Sequence, residues 1–363
     1  MEVKTMQRSA LLMLSIACMG LNAVTAQTPV CPCPKQQHCQ LIQSPARKEV
    51  FVFRVGESDD WKSFDWSRIT TIVPFSKNMY QHEIMCYAHS KGARFVHAAG
   101  FPEDDLSNAT FRSHWVQNQV NVALKGHMDG INIDFEAPIK ESEAHFLVAL
   151  VNETASAFRK INPHAQISFD TPYAAGCTWG RCYDYKNLAE FCDFLVLMNY
   201  DLGIAGIASP NDPLEKFKQG FQSFEKIGVP AHKLVLAFPW YGYDYQCNGT
   251  LKDNVCTVSS VSKQRTQVWY SKITQMLQNF STEGILNSTY VSKFFVYKER
   301  KTSTTHQVWY DDPETLSVRY QHAKQYNVQG VAMWQADCLD YSPDPEARKL
   351  TKAMWDAIDQ FIS

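Results

Sequence analysis

Eight short runs of apolar, largely β-branched or aromatic residues recur along this 363-residue chain, and their spacing constrains its fold more than any other feature. They are "VFVFRVG" (50–56), "ITTIVPF" (69–75), "ARFVHAAG" (93–100), "MDGINIDFE" (128–136), "QISFDTPY" (166–173), "FLVLMNYD" (194–201), "KLVLAFPWYG" (233–242) and "GVAMWQA" (330–336). Most are separated by stretches of helical character, such as "TFRSHWVQNQVNVALKG" and "EAHFLVALVNETASAFRKI". Strands that alternate with helices specify βα units and a parallel sheet. Eight such units in about 290 residues predict an α/β fold, a closed (β/α)8 TIM barrel, over residues 49–363. The rival, a doubly wound open sheet, lacks a Gly-x-Gly-x-x-Gly after the first strand. One interval, 243–329, breaks the rhythm. It holds a helix-like "WYSKITQMLQNF" and two strand-like pieces, "KFFVYKE" and "HQVWYDD". We read it as an elaborated loop after strand seven, together with the seventh barrel helix.

The N-terminus predicts the compartment. Lys4 and Arg8 precede an apolar run, and small residues lead to Ala26. That is the pattern of a signal peptide over 1–26, and the run is too short for a membrane anchor. Residues 27–48 are rich in Pro, Gln and Cys and read as a stapled lead-in. Of 11 cysteines, Cys18 falls in the leader. The other ten, Cys31, Cys33, Cys39, Cys86, Cys177, Cys182, Cys192, Cys247, Cys256 and Cys338, allow up to five disulfides in an oxidising lumen. Cys177 with Cys182 and Cys247 with Cys256 are candidate local pairs; the connectivity stays open. "CPC" has no Cys and His partners at zinc-site spacing, so no metal is expected. Four sequons, at Asn108, Asn152, Asn248 and Asn287, predict surface glycosylation. A net charge of -2 without a basic stripe argues against nucleic-acid binding, and no later stretch resembles a membrane span. A monomer is expected. The 21 Phe, 16 Tyr and 9 Trp supply core, and also ring faces that suit the apolar C–H faces of pyranoses.

The fourth strand carries the chemistry. In "HMDGINIDFE" (127–136), alternation places Asn132, Asp134 and Glu136 on one face and Ile131, Ile133 and Phe135 on the other. The apolar face packs under helices, so the polar one points into the barrel. Burying charge there is costly unless it is hydrogen-bonded or functional. Asp129 falls outside this alternation, and His127 reads as a turn or core histidine. Like-charge repulsion between Asp134 and Glu136 raises a carboxyl pKa, which suits an acid that protonates a leaving oxygen. Two carboxyls on the same side of a strand do not suit a glycosidase with an opposed protein nucleophile.

"DGINIDFE" resembles the Asp-x-x-Asp-x-Asp-x-Glu signature of the glycoside hydrolase family 18 chitinases. "MNYD" (198–201) is similar to that family's Met-x-Tyr-Asp, and the Trp of "VAMWQAD" to the Trp ending its eighth strand. The resemblance spans about 50 to 350. It implies a substrate-assisted, retaining hydrolysis of β-1,4-linked N-acetylglucosamine (GlcNAc), without a cofactor. Glu136 is then the general acid, Asp134 orients the N-acetyl group, and Tyr200 hydrogen-bonds the acetamido oxygen. Trp334 floors the sugar at the reacting subsite. Met198 and Asp201 line the pocket, and Asp129 supports the network. The signature's second Asp is Asn132 here, expected to donate to Asp134 without adding charge. Trp240 and Tyr241, near the tip of strand seven, either touch sugar or pack. The expected partners are GlcNAc oligosaccharides: short chitobiose cores of Asn-linked glycans in a lysosome, or longer chitin oligomers outside the cell. A non-catalytic sugar-binding relative is the third reading.

Overall fold

The computed structural model describes residues 30–44, 47–76, 80–249 and 251–363. The expected leader, 1–26, lies outside them. The strands are β1 Glu49–Arg54, β2 Thr71–Pro74, β3 Arg94–Phe95, β4 His97–Ala99, β5 Gly130–Ile133, β6 Gln166–Pro172, β7 Phe194–Met198, β8 Leu234–Pro239, β9 Tyr241–Gln246, β10 Arg265–Trp269, β11 Ile285–Asn287, β12 Ser292–Lys298, β13 Thr305–Tyr310 and β14 Gly330–Trp334. The helices are α1 His82–Ser90, α2 Ala109–Lys125, α3 Ala144–Ile161, α4 Tyr185–Phe191, α5 Leu214–Lys226, α6 Val261–Gln264, α7 Tyr270–Asn279, α8 Pro313–Gln325, α9 Pro345–Asp356 and α10 Asp359–Ile362.

The parallel sheet runs β3-β2-β1-β14-β8-β7-β6-β5-β4. Its two ends, β3 and β4, are consecutive on the chain with only Val96 between them, so the sheet closes on itself. Every expected strand is present, and the fold is the (β/α)8 barrel. Strands buried on both faces read as near-continuous apolar runs, which is why they were visible in the sequence. Inside the barrel, Phe51 of β1 meets Phe194 of β7 at 5.4 Å between ring centroids. Phe53, two residues on and on the same face, meets Trp334 at 5.3 Å. Rings thus fill the barrel's interior up to the C-terminal mouth.

The interval 243–329 is more ordered than an elaborated loop. It holds most of an antiparallel five-stranded sheet, order β10-β9-β13-β12-β11, with α7 beside it. The run 233–242 is two strands in two sheets: β8 ends at Pro239, and β9 starts the second sheet at Tyr241. Trp240 turns the corner fully buried, with Nε1 donating to the Tyr320 hydroxyl and its ring edge-on to Trp355. Of the two expected roles, sugar contact or packing, the structure gives Trp240 packing and removes it from the candidate sugar contacts. The second sheet is clamped to the barrel by Arg319 of α8, fully buried, whose Nε lies 2.8 Å from Asp212 and whose Nη1 lies 3.2 Å from Asp311.

The lead-in closes the N-terminal end of the barrel. The Cys31–Cys39 bond staples it internally, and Cys33–Cys86 holds it to α1. These bonds consume the "CPC" cysteines. The Asp129 carboxylate, just before β5, accepts from Ile42 N–H (2.7 Å), Phe95 N–H (2.7 Å) and His89 Nε2 (2.8 Å). His127 Nδ1 meets the Cys39 carbonyl at 3.1 Å, a turn histidine as expected. Cys177–Cys182 and Cys247–Cys256 complete four disulfides among the described residues. The fifth does not form: Cys192 and Cys338 are buried free thiols. Four bridges fit an oxidising, secretory-pathway compartment. Among the described residues, no helix is long and apolar enough to cross a membrane. Asn108, Asn152 and Asn248 are exposed and Asn287 is half-buried, so all four sequons reach the surface.

Asp129→Ala strips three donors of their acceptor, two of them buried. We expect a loss of about 2–4 kcal/mol in urea denaturation, the scale for orphaned buried polar groups. A loss within experimental error of zero counts against Asp129 as the tie between lead-in and barrel.

Candidate active site

Asn132 and Asp134 follow the inward alternation of β5, and Glu136 reaches the barrel mouth. Glu136 is fixed by its backbone neighbours: the buried Tyr183 hydroxyl donates to the carbonyls of Phe135 (3.1 Å) and Ala137 (2.6 Å). Its carboxylate, 48% exposed, is ion-paired with Arg181 Nη2. Asp134 is more enclosed and lies within hydrogen-bonding reach of Glu136.

A third carboxyl joins them. The β5–β6 register pairs Asn132 with Ser168 and Ile133 with Phe169, so the next step sets Asp134 beside Asp170. Neighbouring strands lie about 4.8 Å apart, too close for two buried carboxylates to ionise independently. The Asn132 amide donates to Asp170 Oδ1 (2.9 Å) and Ser168 Oγ (3.1 Å), not to Asp134 as expected. Burial raises Asp170 well above the ordinary aspartate value, the Asp134 charge raises it further, and the Asn132 amide opposes both. Asp134 is pushed up to about 7, mainly by burial and then by Glu136, with Arg181 opposing. Raised carboxyls are therefore present, and they are Asp134 and Asp170. At mildly acidic pH a proton sits one hydrogen bond from the exposed Glu136.

The cleft around these groups is lined by Phe75, Asp134, Glu136, Asp170, Trp179, Met198, Tyr200, Asp201, Tyr241, Gln267 and Trp334. The half-buried Trp334 stacks 6.3 Å from Tyr200 at 28°. Burial, then the surrounding carboxylates, hold the Tyr200 hydroxyl well above its usual value, so it stays a neutral donor. Asp201 has φ 62°, a left-handed conformation that Asp tolerates better than most residues. Its Oδ1 accepts from the hydroxyls of Tyr241 and Tyr243, each at 2.6 Å, which joins the tip of β7 to the second sheet.

The structure thus brings together Asp134, Glu136, Met198, Tyr200, Asp201, Tyr241 and Trp334, with Asn132 directly beneath. It places Asp129 at the opposite end of β5, about 16 Å away at strand rise, outside this network. Sequence reasoning missed Asp170, Arg181, Trp179, Phe75 and Gln267. Asp170 left a signal, an acid on the inward parity of "QISFDTPY"; the others left none.

A family model described as glycosyl hydrolases family 18 matches residues 97–338. The chain belongs to glycosyl hydrolase family 18. It is 39% identical over 342 residues to a di-N-acetylchitobiase of Rattus norvegicus, covering 90% of this chain and 92% of that protein. A Homo sapiens di-N-acetylchitobiase is 36% identical, covering 90% of this chain and 88% of that one. Among solved structures, a plant class V chitinase mutant from Cycas revoluta in complex with (GlcNAc)3 superposes with TM-score 0.72 at 17% identity, over 86% of this chain and 99% of that one. YKL-39, solved in the presence of chitooligosaccharides, gives 0.71 at 15%, over 85% and 99%. Those two share the fold. As a family 18 member the chain is a glycoside hydrolase.

The raised Asp134 makes a thermodynamic prediction. The folded state keeps a proton that the unfolded chain releases near its ordinary value, so this group costs stability as pH rises from about 4 to about 7. Asp134→Asn removes that cost. We expect the variant to be more stable than wild type at pH 8 by up to about 4 kcal/mol, the gain fading towards pH 4. Urea denaturation at pH 4, 6 and 8 measures it, and a pH-independent difference counts against the raised carboxyl.

Proposed function

We propose that this family 18 enzyme hydrolyses the GlcNAc β1-4 GlcNAc unit of chitobiose cores by a retaining, substrate-assisted mechanism, releasing GlcNAc from the reducing end. One observation carries the mechanism. Asp134, Glu136 and Asp170 cluster on two adjacent strands, and the fourth carboxyl lining the pocket, Asp201, is engaged by two tyrosines. No lining carboxyl is left to attack from the opposite side, so the nucleophile comes from the substrate: the carbonyl oxygen of its own N-acetyl group.

The roles follow from chemistry. Glu136, the exposed carboxyl, takes the proton held by Asp134 and delivers it to the leaving oxygen. Asp134, then anionic, orients the acetamido N–H and stabilises the positive ring formed when the acetamido oxygen attacks C1. Neutral Tyr200 donates to that oxygen while it is a carbonyl. Trp334 lies under the sugar, with Met198 and Asp201 beside it. Glu136 next removes a proton from the attacking water. Asn132 holds Asp170 in place beneath. No cofactor and no metal enters these steps.

The short substrate is favoured by the extent of similarity to the di-N-acetylchitobiases, about nine-tenths of the chain. The disulfide-stapled chain supports a compartment of the secretory pathway, and within it we propose the lysosome. A secreted chitinase working on long oligomers is the second reading, favoured by the fold neighbours solved with GlcNAc oligomers.

Two experiments test the proposal. Glu136→Gln lowers kcat on chitobiose by about 10²–10⁴-fold with the melting temperature unchanged, the scale of general acid catalysis; near-normal turnover removes Glu136 from the role. Mass spectrometry of products from core-type glycan fragments and from chitin oligomers then separates the substrates. Single GlcNAc from the reducing end of core fragments is expected. Chitobiose released from long oligomers, with core fragments left intact, selects the chitinase reading.

A further inference from the structure

The hairpin between β6 and α4, closed by the Cys177–Cys182 bond, has no part in the chemistry described so far. Its backbone is tied to the segment that follows the acid: Ile139 N–H donates to the Gly180 carbonyl (3.1 Å) and Cys182 N–H to the Ile139 carbonyl (3.3 Å). Two side chains stand out. Arg181, 8% exposed, ion-pairs with Glu136 and sets its guanidinium carbon 5.3 Å from the ring centroid of Trp179. Trp179, 45% exposed and at φ 56°, lines the pocket beside Glu136.

Each fact is costly by itself. A large exposed indole in a left-handed backbone conformation gains little from packing, and such outliers concentrate at ligand sites. A guanidinium on the indole holds the ring by cation–π attraction and leaves much of it open to the cleft. An open ring beside a polar pocket suits the C–H face of a pyranose. Which sugar it meets follows from Glu136. The acid must touch the leaving oxygen, so a ring braced by the acid's own ion-pair partner lies on the leaving-group side.

We propose that Trp179 is the platform for the N-acetylhexosamine on the leaving-group side of the scissile bond, and that Arg181 is a positioning residue that locks this platform to Glu136. The proposal rests on the reading of Glu136 as the acid. Occupancy of the platform then fixes the acid against the bond to be broken. Substrates with a sugar leaving group are selected over those without one.

The test compares chitobiose with β-N-acetylglucosaminyl fluoride, whose leaving group has no ring. For Trp179→Ala, the ratio of kcat/KM on chitobiose to kcat/KM on the fluoride falls at least about tenfold, mostly through KM for chitobiose. Trp179→Phe, which keeps a ring, restores most of the ratio. Arg181→Lys keeps the charge but loses the planar group, and lowers kcat on chitobiose more than it raises KM. An unchanged ratio in Trp179→Ala overturns the proposal. A second measurement needs no turnover: the indole N–H resonance of Trp179, assigned with Trp179→Phe, is followed in Glu136→Gln during titration. It shifts with chitobiose and not with GlcNAc alone. A silent indole with chitobiose overturns the platform even if hydrolysis proceeds. A wild type that leaves chitobiose intact while the indole responds instead overturns the substrate reading.

Discussion

Three carboxyl groups, Asp134, Glu136 and Asp170, share one mouth of a barrel with Arg181 as the cation on Glu136, and much of the site follows from that crowding. Water cannot screen the inner two, so at least one keeps a proton at working pH. The protein resolves the repulsion by depth. Asp170, almost fully enclosed, receives an amide hydrogen bond from Asn132; Glu136, at the surface, receives a guanidinium; Asp134 lies between and titrates near neutrality. The Asn132 that departs from the family signature is part of this arrangement. A carboxyl absent from β5 is present one strand over, on β6.

The two ends of the barrel divide the labour between stability and chemistry. At the N-terminal end, Asp129, Glu49 and Arg94 are buried and bonded to backbone or to each other, and a disulfide-held lead-in covers them. Burying ions there is tolerable because most of them have partners. At the C-terminal end the Glu136 carboxylate and the Trp179 indole are exposed. A covered end thus serves stability while the open mouth is left to chemistry.

What was legible in the sequence follows the same division. The eight barrel strands could be read because burial on both faces writes an apolar run. Glu136 and Asp134 could be read because charge in such a run has no bland explanation. Asp129 was drawn into the catalytic network by a signature, although its parity already set it apart; position within a motif does not say which end of the strand a side chain serves. The second sheet was under-read because β10 and β11 are short and mostly exposed and show no clear alternation. The role of Trp240 stayed open in the sequence because one apolar run covers two strands that belong to different sheets. Arg181 and Trp179 reach the site through a disulfide-closed hairpin, and the distance from such a hairpin to Glu136 exists only in three dimensions.

The two unpaired cysteines give the chain a memory of its own assembly. Cys192 and Cys338 are enclosed, and burial pushes both thiols up to about 12, so neither supplies a thiolate in the folded protein. An oxidising lumen can reach them only before the barrel has closed around them, or after it has opened. Any bridge that includes either one therefore records oxidation while the core was open, before packing or after unfolding, whereas both thiols stay reduced in a molecule whose core has remained closed.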